Sequence, residues 1–136
     1  MTYVLDACAL LAMFKSEKGA EKIEALIAEA LAGEAAIYMN TINLVKVNYY
    51  FYRKLGIDKS TLILEQIYTF LINFINTIDN IIFSETSRLK AQYSIPLGDA
   101  IGLATAIKMN ATFVTADHSD FEEIEKKETL SFFWFR

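Results

Sequence analysis

The sequence predicts an α/β fold in which a central, mostly parallel sheet is flanked by helices on both faces. Short apolar runs containing Val, Ile, Thr and aromatic residues alternate along the chain with longer segments of helical periodicity. Strands separated by helices in this way pair in parallel through crossovers. The 136 residues are 54% hydrophobic, enough to bury one core, so residues 1–136 are expected to form a single domain.

Thr2 to Leu5 reads as a strand ending on Asp6, and Ala7 to Phe14 shifts to Ala, Leu and Met, which favour helix. From Ala20 to Leu31, the residues Ile23, Leu26, Ile27, Ala30 and Leu31 recur at helical spacing opposite Glu21, Lys22, Glu24 and Glu29. Gly33 is placed to stop that helix. Ala35 to Met39 has strand length, and Asn40 and Thr41 can cap a helix to about Leu55, before Gly56. Asp58 is expected to cap a long helix carrying Leu62, Ile63, Ile67, Phe70, Leu71, Phe74 and Ile75.

Asn80 to Phe83 has the β-branched character of a third strand, and Ser84 opens a helix to about Tyr93. After Pro96 and Gly98, Asp99 to Met109 is an Ala-rich helix, followed by a strand over Thr112 to Thr115 that leads to Ala116 and Asp117. Ser119 with Glu122 has capping-box spacing for a short helix, and Leu130 to Phe135 reads as a final strand.

Composition excludes several classes. Charged residues make up 22%, with one Pro and five Gly, far from disordered or low-complexity chains. The single cysteine, Cys8, forms no internal disulfide and offers no cysteine-rich metal framework. The segment Leu62 to Phe83 is interrupted by Glu65, Gln66, Asn73, Asn76, Asp79 and Asn80, too polar for a membrane span. No secretory signal precedes Asp6, so a cytoplasmic protein with no membrane partner is expected. The net charge of -4 provides no global basic field, so any nucleic-acid contact is local.

In an open parallel sheet, ligands collect outside the carboxyl ends of the strands, where Asp6 and Asp117 are expected to sit. Asp99 starts a helix in the element just before the Asp117 strand, and right-handed connections can bring all three to one edge. Clustered carboxylates repel one another and need a cation to stay ionised together. Oxygen ligands without His or Cys point to Mg²⁺ or Mn²⁺, which can activate water for attack on a phosphodiester. Taken singly, each Asp also fills an ordinary role at a strand end, helix cap or turn. The three together favour a site.

Three segments carry a resemblance. Tyr3-Val-Leu-Asp-Ala-Cys-Ala-Leu-Leu-Ala12, Pro96-Leu-Gly-Asp-Ala-Ile-Gly-Leu-Ala-Thr-Ala106 and Thr112-Phe-Val-Thr-Ala-Asp117 resemble the signature blocks of PIN-domain nucleases. The order and separation of the blocks are most similar to the VapC-type toxins of bacterial toxin-antitoxin pairs, over essentially the whole chain, the aromatic end Phe132 to Arg136 included. The resemblance implies a Mg²⁺-dependent endoribonuclease with Asp6, Asp99 and Asp117 as metal-site acids. It also implies a cognate antitoxin as partner, RNA as substrate and a homodimer.

One position departs from that family. Where its members usually carry an active-site glutamate, in a context like Thr41-Ile-Asn-Leu-Val-Lys-Val-Asn-Tyr-Tyr50, this chain has Lys46. A Glu there would leave 12 basic against 18 acidic residues, a net of -6 instead of -4. A charged ammonium donates and cannot ligate a hard cation. Lys46 is expected to pair with Asp6 or Asp99 in the place of the metal, so that Mg²⁺ binding is weak or absent and catalysis impaired. Ile42, Val45, Tyr49 and Tyr52 form an apolar stripe, and Asn43, Lys46, Tyr50 and Arg53 an adjoining polar strip that could face a cleft.

Other candidates carry less. Thr115 is expected to bond a metal-bound water or Asp117, or to be an ordinary strand residue. Cys8 is assigned to packing. Asp120 is a reserve ligand or, within the Ser119 to Glu122 cap, a dipole stabiliser. His118 is expected to be a surface residue, as are Arg53, Lys54, Arg88, Lys90 and Lys108, which could otherwise meet phosphates. Most of Tyr49, Tyr50, Phe51 and Tyr52, and of Phe132, Phe133, Trp134 and Phe135, are assigned to the core, with an apolar partner groove as the alternative.

Two functions of different class compete: a PIN-type RNase, and a catalytically silent antitoxin-binding protein of the same fold. A phospho-accepting receiver domain fits poorly, since Asp79 is read as preceding its strand. A haloacid-dehalogenase-like phosphatase would need an Asp where Cys8 stands.

Overall fold

Parallel strands alternate with helices along the whole chain, as the sequence pattern predicts. The computed structural model describes residues 1–136. The elements are β1 (Thr2–Leu5), α1 (Ala7–Phe14), α2 (Ala20–Leu31), β2 (Ala36–Asn40), α3 (Thr41–Leu55) and α4 (Ile57–Ile67). They continue with β3 (Ile72–Ile75), α5 (Asn80–Gln92), α6 (Leu97–Met109), β4 (Thr112–Thr115), α7 (His118–Lys127) and β5 (Phe132–Trp134). No helix is long and apolar enough to cross a membrane.

The five strands lie in the order β3-β2-β1-β4-β5, every pair parallel. Val4 is central, opposite Tyr38 on one side and Phe113 on the other. The chain builds outward from β1 to β3, then crosses back beyond β1 to lay down β4 and β5. Because such crossovers are right-handed, the two directions of travel put helices on opposite faces. The core divides accordingly. Tyr3, Leu5, Ile37, Met39 and Val114 pack with residues of α1 to α4, while Val4 and Phe113 pack with residues of α5, α6 and α7. Alternation along β1 thus assigns successive side chains to different layers.

The region between Asp58 and Phe83 departs from the sequence expectation. The long helix stops at Ile67, the third strand is Ile72–Ile75, and Asn80–Phe83 opens α5. α4 is capped at Tyr68, and Leu71, directly before β3, takes φ 57, a left-handed conformation adopted here without glycine. Pairing of Ile72 to Ile75 against Ile37 to Asn40 then satisfies the backbone, and Asn73 Nδ2 donates to Ile37 O at 3.1 Å. Asp79 caps α5 by accepting from Ile82 N at 2.9 Å. Asp79 therefore follows its strand, and it is occupied as a cap and by an ion pair with Lys108.

Other caps also differ. Asn40 caps α3 as expected, accepting from Ile42 N at 2.9 Å. The residue before α4 is Gly56, with Asp58 inside the first turn, and α7 is capped by Asp117 in place of Ser119. The Ser119 hydroxyl donates to Asp117 Oδ1 at 2.9 Å. α6 begins at Leu97, so Gly98 lies within the helix.

The apolar stripe of α3 faces outward. Ile42, Val45, Tyr49 and Tyr52 are exposed, and the inward face is Asn43, Leu44, Val47 and Phe51. Of the four consecutive aromatics, only Phe51 is buried in the core, so the core assignment fails for Tyr49 and Tyr52. At the other end Phe135 is buried and Phe132 to Trp134 are half-buried.

Candidate active site

The chain reverses its direction of travel between β1 and β4, which sets a switch point at the carboxyl edge of the sheet, the usual ligand position in such folds. Asp6 follows β1 directly and caps α1, its Oδ1 accepting from Ala7 N at 2.8 Å. Its second oxygen accepts from the Thr115 hydroxyl at 2.8 Å and from the Cys8 thiol at 3.3 Å. The Thr115 oxygen accepts in turn from Asp117 N at 3.1 Å. Thr115 therefore ties the ends of β1 and β4 together, and it reaches Asp117 through the backbone amide. Cys8 does more than pack, since it helps hold Asp6.

Asp99 enters from α6 and Asp117 and Asp120 from the start of α7. Carboxylate oxygens of Asp99, Asp117 and Asp120 all lie within 4.8 Å of one another. Asp6 lies outside that group and shares Asp99 with it as a neighbour. Burial first, and repulsion from Asp99 second, push the Asp6 carboxyl above the usual carboxylate range, against its bonds to Thr115 and Cys8 and the charge of Lys46. Asp120 is pushed up to about 7, chiefly by its hydrogen bond to Asp99, then by burial and by Asp117. Like charges gathered this closely disfavour full ionisation of the group. Asp120 thus belongs to the cluster as well as to the first turn of its helix.

Lys46 reaches this cluster from α3. Its Nζ donates to Asp99 Oδ1 at 3.0 Å, with side chains 33% and 5% exposed respectively. Burial lowers the ammonium's affinity for its proton, but the bond to Asp99 and the charges of Asp99 and Asp6 outweigh it and hold it above the ordinary lysine value. Of the two partners considered for Lys46, the ion pair forms with Asp99.

Two glycines admit α3: Gly98, read from the sequence as a turn before the helix, and Gly102, given no role there. Gly98 and Gly102 lie one turn apart on α6; a Cβ on Gly98 would stand 3.3 Å from Lys46 Cδ, and one on Gly102 3.0 Å from Asn43 Nδ2. Asn43 is fully buried, its Nδ2 3.5 Å from Gly98 O and its Oδ1 without a partner. The spacing Gly98-Asp-Ala-Ile-Gly102 was the available signal for this close approach. Of the predicted polar strip, Asn43 is buried, Lys46 and Tyr50 are half-buried, and Arg53 is exposed.

The remaining candidates have local partners. Arg88 forks onto Glu128 at 2.8 and 3.2 Å and also pairs with Glu85, Lys90 donates to Ile95 O, and Lys108 pairs with Asp79. Arg53 and Lys54 lie over the Tyr49 and Tyr50 rings. His118 is the first residue of α7, with Nδ1 3.0 Å from Glu122 Oε1 and Nε2 2.7 Å from Arg136 O. The Arg136 oxygen raises its pKa, desolvation opposes that, and Glu122 and Asp117 add to the rise.

A doubly layered parallel sheet with acids gathered at its switch point defines an α/β protein with a polar, oxygen-lined site. The chain belongs to the PIN-domain family, whose model matches residues 3–127. Its fold is similar to VapBC2 from Rickettsia felis bound to a DNA fragment from their promoter, with TM-score 0.74, 19% identity and 98% of each chain covered. It is also similar to a toxin-antitoxin complex from Klebsiella pneumoniae, with TM-score 0.63 and 24% identity over 90% of this chain and 92% of that one. VapC20 of Mycobacterium tuberculosis, a sarcin-ricin loop cleaving toxin, superposes with TM-score 0.62 and 10% identity, over 86% of this chain and 92% of that one. No curated protein matches the sequence.

Proposed function

We propose that this chain is the toxin of a toxin-antitoxin pair, built as a metal-dependent endoribonuclease and restrained in catalysis by Lys46. The observation that carries the reading is the meeting of Asp99 with two unlike neighbourhoods: the Asp117 and Asp120 carboxylates within 4.8 Å, and the Lys46 ammonium at 3.0 Å. The donor set is all oxygen, which suits Mg²⁺ or Mn²⁺. Asp99, Asp117 and Asp120 would hold such an ion. When bound, it supplies an acidified water and offsets charge developing on a phosphodiester.

The chain's own residues do the rest. Asp6, Asp99 and Asp117 are the catalytic acids in this reading. Thr115, Cys8 and the Ala7 amide hold Asp6 in one orientation. Asp117 is fixed by the Ser119 hydroxyl and the Asp120 amide, which both donate to its Oδ1. Lys46 takes one oxygen of Asp99 and supplies a single positive charge where a glutamate would add a negative one. It stabilises the acids without a cation and competes with one, so metal binding is weak or absent.

An antitoxin and a second copy of the chain are the protein partners we propose, and RNA the substrate, in the cytoplasm. Support for protein partners comes from the exposed apolar face of α3 and from structural neighbours that are themselves toxin-antitoxin complexes.

The test is Lys46→Glu, assayed on single-stranded RNA with and without Mg²⁺. Cleavage at least tenfold faster than the parent chain and abolished by chelation is the expected result. A variant that folds, binds no Mg²⁺ and cleaves nothing removes the nuclease reading. A parent chain that cleaves as fast as the variant removes the restraint by Lys46. Tight antitoxin binding by a variant that never cleaves selects the silent binding protein.

A further inference from the structure

Beside the acid cluster, three aromatic rings form a column that the proposed chemistry does not use. His118 stacks on Trp134 with centroids 4.2 Å apart and planes 14° apart, and Trp134 on Phe132 at 5.4 Å and 11°. The register sets the column beside the site, because Trp134 pairs with Thr115, and His118 directly follows Asp117. Trp134 is pinned by its indole N–H, which bonds Glu125 Oε2 at 3.0 Å. The histidine ring is pinned at both nitrogens, by Glu122 and by Arg136 O.

That pinning decides what His118 can offer. With both nitrogens taken, it has no free donor for a phosphate and no free lone pair for a metal or a proton. One face lies on Trp134. The side chain is nevertheless 45% exposed, and Trp134 is the one aromatic ring stacked on it, so the second face carries no stacked ring. A flat ring held by its neighbours, part-exposed, with one face unstacked and one residue from a proposed catalytic acid, matches the platforms on which unpaired bases stack.

We propose that the outer face of His118, backed by Trp134, is a stacking shelf for one unpaired base of an RNA strand whose backbone runs past Asp117. The inference rests on the ribonuclease reading and deepens it by assigning a base contact next to the site. It makes the shelf tolerant of base identity, since every base presents a π-face.

Binding of a labelled single-stranded RNA octamer to the full chain, followed by anisotropy in chelator, measures the contact. Trp134, the only tryptophan, reports its place by fluorescence. RNA is expected to quench Trp134, and an abasic octamer of the same length to bind about tenfold more weakly. His118→Ala should weaken RNA binding by about tenfold, whereas His118→Phe, which keeps the ring and loses both hydrogen bonds, should stay within about threefold of the parent. Equal affinity for RNA and abasic strand, or a His118→Phe loss as large as that of His118→Ala, overturns the shelf. The shelf alone fails if Lys46→Glu cleaves RNA and adding His118→Ala leaves its KM unchanged. Absence of any RNA binding by the parent and by Lys46→Glu overturns the shelf together with the nuclease reading.

Discussion

Thr115 and Asp6, 109 residues apart in sequence, are joined by a buried hydrogen bond of 2.8 Å across the seam between β1 and β4. The same hydroxyl oxygen accepts the Asp117 amide, so one side chain spaces two of the proposed catalytic acids. Thr115→Val keeps the shape and removes both bonds, leaving a buried carboxylate oxygen with only the Cys8 thiol. Urea denaturation should show a loss of about 1–3 kcal/mol, and Thr115→Ser should recover most of it. A Val variant as stable as the parent would show that the bond contributes nothing net.

The approach of α3 to α6 gives a contrast between two similar substitutions. At Gly102 an added Cβ meets the Phe113 ring at 3.2 Å as well as Asn43, both buried, and neither can withdraw. Gly102→Ala should therefore cost about 1–3 kcal/mol from overpacking. Gly98→Ala meets the flexible stem of Lys46, which can swing aside, and should cost less than about 1 kcal/mol. Equal losses in thermal or urea unfolding would refute this account of the close approach.

Acid sensitivity should trace in part to Glu128. The Arg88 fork holds its carboxyl below the usual range, against burial and with help from the Tyr93 hydroxyl. A folded-state pKa below the unfolded one adds stability above the unfolded value, and that stability is lost as pH falls through the folded value. Glu128, 14% exposed, is shielded enough for the pairing to count. Glu128→Gln should be about 1–2 kcal/mol less stable than the parent at pH 7, with the gap closing below about pH 4. Urea titrations at the two pH values decide it, and a gap that persists in acid would assign the loss to packing.

The architecture, and the strand ends and helix start that carry the candidate acids, were legible because their signals are local. Asp6 closes an apolar run, Asp99 follows Pro-Leu-Gly, and Asp117 ends a Thr-Phe-Val-Thr strand. The segment from Asp58 to Phe83 differs from the sequence reading because the turn between α4 and β3, Tyr68 to Leu71, contains no glycine, proline or asparagine, and pairing with β2 selects the strand. The outward turn of the α3 stripe was hidden because periodicity shows that a helix has two faces, without saying which one faces in. Here the inward face includes a buried Asn43. The sequence offers Asp120 as a reserve ligand or a dipole stabiliser of its helix, and its spacing of three from Asp117 at a helix start is what places both on one side.

The strand order also has a kinetic side. β1 is the middle of the sheet, yet one of its two neighbours is encoded more than a hundred residues downstream. During synthesis, the open edge of β1 must wait, unpaired, until the segment carrying Thr112–Thr115 has emerged. Until then the half-finished sheet presents backbone donors and acceptors to any extended chain nearby, and the sheet edge at which the acids meet, half of which arrives with β4, does not yet exist.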